Sequence, residues 1–215
     1  MADRHRIRLC GEDVDRPGHI CAFFESRDEA YGTLAPYIKQ GLDRGEQVIS
    51  IVDERRRSEH LRRLEAEGIP VDSAIESDRL RVPTVQETYL KGGSFDGDSM
   101  YSLLHRTLVT AKKKGRRVRI SGDMEWTRQP AISLDRLMEY EARVNILVPT
   151  FDCTLLCLYD PHTMSGSGVL HTFATHPFIV LNGRARENPH YVEPLTYLKT
   201  RVPARKDSPR TKPKA

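Results

Sequence analysis

Residues 19–53 constrain this chain more than any other stretch, because they spell out a strand, a capped helix and a second strand in succession. His19 to Phe24 is a short apolar run that reads as a buried strand. Ser26-Arg27-Asp28-Glu29 is a capping box, in which the serine side chain caps the glutamate N–H and the glutamate reaches back. Tyr31, Leu34, Ile38 and Leu42 then recur at the spacing of one helix face. Pro36 is expected to bend that helix, and Gly45 suits its end. Val48 to Val52 is a β-branched strand that runs into Asp53.

The alternation continues. A helix is expected over Arg55 to Glu67, ending at Gly68, and a strand over Leu80 to Val85. Gly92, Gly93 and Gly97 mark a loop. Ser99 to Lys114 carries a helical stripe of Leu103, Leu104, Leu108 and Ala111, and Gly115 ends it. A strand over Val118 to Ser121, a helix over Leu134 to Val148 and a strand over Thr154 to Tyr159 follow. Gly166 to Thr175 is ambiguous, and Phe178 to Leu181 is expected to be the last strand. The pattern predicts an α/β fold of three layers, a mostly parallel sheet with helices on both faces.

The chain has 215 residues, enough for one such domain and a tail. Its net charge of +4 is unevenly placed. Residues 199–215 hold seven bases and one acid, while the remainder holds 27 bases and 29 acids. Pro203, Pro209 and Pro213 and a near absence of apolar side chains predict a disordered tail there. The near-neutral remainder argues against a nucleic-acid-binding fold, leaving at most a weak, salt-sensitive contact through the tail. No apolar run approaches the roughly 20 residues that span a bilayer. Met1 to Arg8 leads into no apolar segment of a signal peptide. Cys10, Cys21, Cys153 and Cys157 form no C-x-x-C, so reduced thiols in a cytoplasmic protein are expected.

In a sheet of this kind, ligands bind beyond the carboxyl ends of the strands. Glu25, Asp53, Asp123, Glu125 and Asp160 fall near those ends, where acids can hold a cation or accept hydrogen bonds from a polar ligand. An aspartate after a strand also suits the N-cap of the next helix, the favoured role for Asp53 and Asp160. Gly122 permits a sharp turn or a close approach, and Trp126, the single tryptophan, offers either a ligand wall or a core filler. Glu141 and Asn145 project from the same helix side as Leu134, Leu137 and Met138. A carboxylate facing inward needs a partner from another element, in a structural network or in a ligand contact. The candidate ligand-binding set is therefore Glu25, Asp53, Asp123, Glu125, Trp126, Glu141 and Asn145.

Several chemistries are disfavoured. A phosphate loop needs G-x-x-x-x-G-K-[ST], but Phe23-Phe24-Glu25-Ser26-Arg27-Asp28-Glu29 stands in its place, with no glycine, no lysine and three acids. There is no G-x-S-x-G and no H-E-x-x-H. His171 and His176 lie five apart without a third donor nearby in sequence, and His19 reads as a hydrogen-bonded structural histidine. No catalytic residue, cofactor or metal is assigned. Two rival readings remain: a metal- or nucleotide-dependent enzyme using Asp123 and Glu125, and a DNA-associated transcriptional regulator acting through the basic tail.

The motifs taken in order resemble the MEDS family, the methanogen/methylotroph DcmR sensory domain. The resemblance is carried by His19-Ile20-Cys21-Ala22-Phe23-Phe24, by Lys39 to Glu46 with the strand to Asp53, and by Ile120-Ser121-Gly122-Asp123-Met124. Tyr140 to Asn145, Cys157-Leu158-Tyr159-Asp160, His176-Pro177 and Glu187-Asn188-Pro189 extend it. It spans residues 17–198, leaving residues 1–16 as an N-terminal extension and 199–215 as the tail. It implies a fold like that of RecA and the circadian-clock ATPases with a degenerate phosphate loop. It also implies a non-catalytic domain sensing small molecules, hydrocarbon derivatives among them. Residues 1–16 are too short for a helix-turn-helix and no kinase domain follows. The expected output is therefore a separate partner: a histidine kinase, a sigma-factor regulator or a transcription regulator.

Overall fold

The computed structural model describes residues 6–15 and 18–201. An antiparallel hairpin, β1 (Arg6–Leu9) and β2 (Glu12–Asp15), comes first. The turn between them places Cys10 and Gly11 at positive φ. Ile7, Leu9 and Val14 of the hairpin are buried in a core shared with the first helix. Sequence reading treated this region only as an extension, because two four-residue strands alternate too briefly to stand out.

β3 (His19–Phe23), α1 (Arg27–Asp43) and β4 (Gln47–Ile51) form the expected strand–helix–strand unit. Ser26 Oγ accepts from Glu29 N at 3.2 Å, and Glu29 Oε2 accepts from Glu25 N at 2.9 Å, so the capping box is closed. α1 continues through Pro36 and ends before Gly45, whose φ of +73° suits a residue without a side chain. The next helix starts later than expected. Asp53 caps a 3-10 turn over Glu54–Arg56, and α2 (Arg57–Ala66) follows, with α3 (Val71–Glu76) after it.

β5 is only Leu80–Arg81, although Leu80 to Val85 was the expected strand. Pro83 cannot donate to a ladder, and beyond it only an isolated Val52–Thr84 bridge remains. α4 (Gly97–Lys113), β6 (Val118–Asp123), α5 (Leu134–Phe151) and β7 (Thr154–Tyr159) follow the sequence pattern closely. The ambiguous segment is α6 (Gly166–Thr175), capped by Ser165, whose Oγ accepts from Gly168 N at 3.0 Å. β8 (Phe178–Leu181) is not the last strand, because an Asn182-Gly183 turn at positive φ returns the chain as β9 (Arg184–Glu187). α7 (Pro194–Arg201) takes in the first three residues of the basic segment, and the rest of that segment lies outside the described residues.

The main sheet has the order β5-β4-β6-β7-β3-β8-β9, parallel throughout except for the β8–β9 pair. Alternation along the strands divides the core into two layers. Ile20, Ala22, Val48 and Leu156 face α1, α2 and the hairpin. Cys21, Phe23, Ile49, Ile120 and Leu155 face α4 and α5. These are the predicted three layers. The carboxyl ends of β3, β4, β6 and β7 therefore emerge side by side, and the segments that leave them build the site.

Candidate functional site

A cleft of about 340 Å³ opens at those carboxyl ends. Its apolar walls include Phe24, Leu34, Val52 and Leu158. Its charged lining comes from the residues just past each strand: Glu25 and Arg27 after β3, Arg56 after β4, Asp123 and Glu125 at and after β6, and Asp160 after β7. This volume lies within the range of about 300–1,000 Å³ typical of small-molecule sites.

The acids are not a bare anionic row. Arg27 Nη2 donates to Glu125 Oε1 at 3.0 Å. Arg56 bridges two carboxylates, with Nη2 2.7 Å from Glu125 Oε2 and Nη1 3.3 Å from Asp123 Oδ2. The hydrogen bond from Arg56 lowers the pKa of Glu125. Burial raises that of Asp123, against the pull of the Glu125 N–H that Asp123 accepts at 2.9 Å. Three arginines, Arg27, Arg56 and Arg128, thus face four acids in the cleft.

On the α1–α2 side, the Tyr31 hydroxyl lies 2.8 Å from His60 Nδ1, and Arg63 stacks on the Tyr31 ring at 4.6 Å. Burial holds His60 neutral, with its pKa lowered to about 4, and its Nε2 has no hydrogen-bond partner. Desolvation pushes the Tyr31 phenol up to about 12. The cleft therefore offers paired charges, a neutral imidazole and apolar walls, an arrangement suited to holding a ligand with one polar group.

The structure divides the seven sequence candidates. Glu25, Asp123 and Glu125 line the cleft together. Asp53 does not: it accepts from Arg55 N at 2.9 Å as an N-cap, and its pairing with the Arg55 side chain lowers its pKa. Trp126 faces away from the cleft, buried in the opposite core layer, with its ring stacked on Tyr89 at 4.7 Å and tilted against Phe95 at 5.2 Å. Gly122 belongs to the same packing, because a Cβ there would meet the Tyr89 hydroxyl at 2.9 Å. The close approach that the glycine allows is to a core tyrosine.

Glu141 and Asn145 lie in a separate buried cluster. Glu141 Oε2 is 3.2 Å from His19 Nε2 and 3.8 Å from His176 Nε2, and Cys157 Sγ is 3.4 Å from His19 Nε2. The two imidazole rings lie 4.0 Å apart. Burial lowers both histidines to about 3 and raises Glu141 to about 7, so these contacts are not ion pairs at neutral pH. Asn145 Nδ2 donates to the carbonyls of Glu141 at 3.1 Å and Thr175 at 2.6 Å, tying α5 to the end of α6. Glu141 thus finds its partners on other elements, as its inward position required.

Sequence reading missed Arg27, Arg56, Arg128, Tyr31 and His60. The strand-end rule that selected the acids applies equally to Arg27 and Arg56. His60 carried a weaker signal, lying four residues before the buried Leu64 on one face of α2.

A parallel three-layer α/β domain with a strand-end cleft and no phosphate loop is the class that fold and site define. Its fold matches that of a KaiC-like protein from the hyperthermophilic archaeon Pyrococcus horikoshii OT3, with a TM-score of 0.57 at 13% identity, covering 80% of this chain and 73% of that one. The model of the MEDS family, the methanogen/methylotroph DcmR sensory domain, matches residues 18–177, and the chain belongs to that family. The transcriptional repressor DcmR of Methylorubrum extorquens (strain DSM 6343 / CIP 106787 / DM4) is 24% identical over 173 residues. That match covers 80% of this chain and 62% of the repressor, so the chain spans less than two thirds of its relative's length. The chain is a non-catalytic domain of the sensory and regulatory type. Among the described residues, no helix is long and apolar enough to cross a membrane.

Proposed function

We propose that this domain senses a small organic molecule with a polar or charged group, bound in the strand-end cleft, and signals its occupancy to a transcription regulator. The observation that carries the reading is the Arg27–Glu125–Arg56–Asp123 network at the mouth of an apolar-walled cavity. Four charged side chains hold one another there, so a ligand can re-pair them without leaving a buried charge alone. An anionic group competes for Arg27 or Arg56, and a donor competes for Asp123. Re-pairing shifts the start of α1 relative to the turn after β4, and such a shift is a physical route to a partner. A transcription regulator is favoured over a histidine kinase or a sigma-factor regulator because the related DcmR is a repressor. The four free cysteines accord with a cytoplasmic location.

A second cavity of about 450 Å³ favours an alternative, an apolar ligand. It lies between β4, β5 and α4, with Ile49, Leu80, Met100 and Leu104 among its walls. A calorimetric screen of small organic acids, alcohols and amines separates the two readings. The cleft reading expects a ligand whose affinity falls roughly tenfold or more, about 1.4 kcal/mol or above, in Arg56→Ala and Asp123→Ala and is unchanged in Thr107→Trp. The reverse pattern selects the second cavity, and a ligand indifferent to all three variants rejects both.

A further inference from the structure

We infer that His19, Glu141, Cys157 and His176 form a tetrahedral site for zinc or another late first-row divalent cation. The four donors come from four places: the start of β3, the middle of α5, the middle of β7 and the residue capping α6. One ligand atom from each lies within 4.8 Å of all the others. A tetrahedron with zinc bonds of roughly 2.0–2.3 Å has edges of roughly 3.3–3.7 Å. Three of the six donor separations, at 3.2, 3.4 and 3.8 Å, lie close to those edges, and all six are within 4.8 Å.

Satisfaction of the polar atoms points the same way. Glu141 Oε1 and His176 Nε2 are buried with no hydrogen-bond partner, and the residues themselves are 1% and 0% exposed. Buried polar atoms left without partners are rare in native proteins. His176 Nδ1 lies 2.8 Å from the Thr172 carbonyl, so it carries the proton and turns the Nε2 lone pair into the cluster. A backbone carbonyl in that role is the usual outer support of a metal-bound histidine.

Charge closes the case. Among the described residues, no arginine or lysine pairs with Glu141. Two neutral imidazoles, one carboxylate and one thiolate carry two negative charges, which a divalent cation cancels. On binding, the Cys157 thiol loses its proton to solvent as the sulfur–metal bond forms. The thiolate and imidazoles favour zinc or cobalt over magnesium or calcium, and four protein ligands leave no open position for catalysis. The inference stands independently of the ligand cleft, which these four residues do not line.

The test uses the full chain refolded with zinc or with cobalt and freed of excess metal. We expect one equivalent of zinc per chain by elemental analysis. The cobalt form should show the intense visible bands of tetrahedral coordination and a thiolate-to-cobalt charge-transfer band. Cys157→Ser should lose the charge-transfer band, and His176→Gln should bind at least roughly tenfold more weakly. The wild-type cobalt spectrum does not depend on whether either variant folds. Less than a tenth of an equivalent in the wild type, an octahedral cobalt spectrum, or a charge-transfer band that persists in folded Cys157→Ser would overturn the site.

Discussion

His60 shows how one buried side chain links structure to pH. Burial lowers its pKa to about 4, against about 6.5 in an unfolded chain. The folded state therefore resists protonation that the unfolded state accepts. Its contribution is fully present above pH 6.5 and is lost as pH falls from there toward 4, by about 3 kcal/mol in total. Urea unfolding of wild type and His60→Gln between about pH 7 and pH 4 should show the variant losing less stability across that window. Equal slopes would mean that the imidazole is solvated on the native side. Trp126 carries the opposite lesson. Its place next to two acids left a ligand wall and a core filler both open, and its ring packs against Tyr89 and Phe95, two residues far from it in sequence.

The contact between α1 and β6 shows what holds the elements in register. Arg119 projects from β6 toward α1 and is fully buried. Its Nε donates to Glu46 Oε2 at 2.7 Å, and its Nη1 donates to the Tyr37 carbonyl and to Gln40 Oε1, both at 2.9 Å. The guanidinium also stacks 4.7 Å over the Tyr37 ring. Gly41 allows this packing, because a Cβ there would lie 3.0 Å from Arg119 Cδ and 2.8 Å from Val48 Cγ2. Removing one partner of such a pair leaves a buried charge uncompensated. Glu46→Ala should therefore cost about 3 kcal/mol or more in chemical unfolding, and Arg119→Met combined with Glu46→Leu should cost less than the two single changes together. Additive costs would show that the pair is not coupled. The helix face of α1 was legible through Leu34, Ile38 and Leu42, but a strand position occupied by arginine gave no sign of which helix it would meet.

The hairpin matters at the scale of the whole molecule. β1 and β2 lie against α1 and β9, so they join the first helix to the antiparallel edge of the sheet. Ile7, Leu9 and Val14 enter the core beside Leu34 and Ile38. Burying each such side chain is worth about 1.5–3 kcal/mol before the cost of ordering the hairpin. Deleting residues 1–15 should lower Tm by roughly 5–10 °C while leaving the helical circular dichroism largely intact. An unchanged Tm would mean that the hairpin only covers the surface.

The sequence by itself determined the class of fold and the end of the sheet where the cleft lies. Apolar runs such as Val48 to Val52, the capping box at Ser26 and the stripe of α1 are local signals, written within one or two turns of chain. It also excluded a phosphate loop, since that chemistry needs two glycines five positions apart and a lysine right after the second, all within one short stretch of chain. Tertiary structure decided everything that depends on partners distant in sequence. It paired Arg56 with Asp123 and Glu125, which neutralises the acidic row. It placed His176 beside His19 and Cys157 and not with its sequence neighbour His171. Side chains separated by as many as 157 residues carry no mutual periodicity, and only the packing of α5 and the end of α6 against β3 and β7 brings their donor atoms within 4.8 Å of one another.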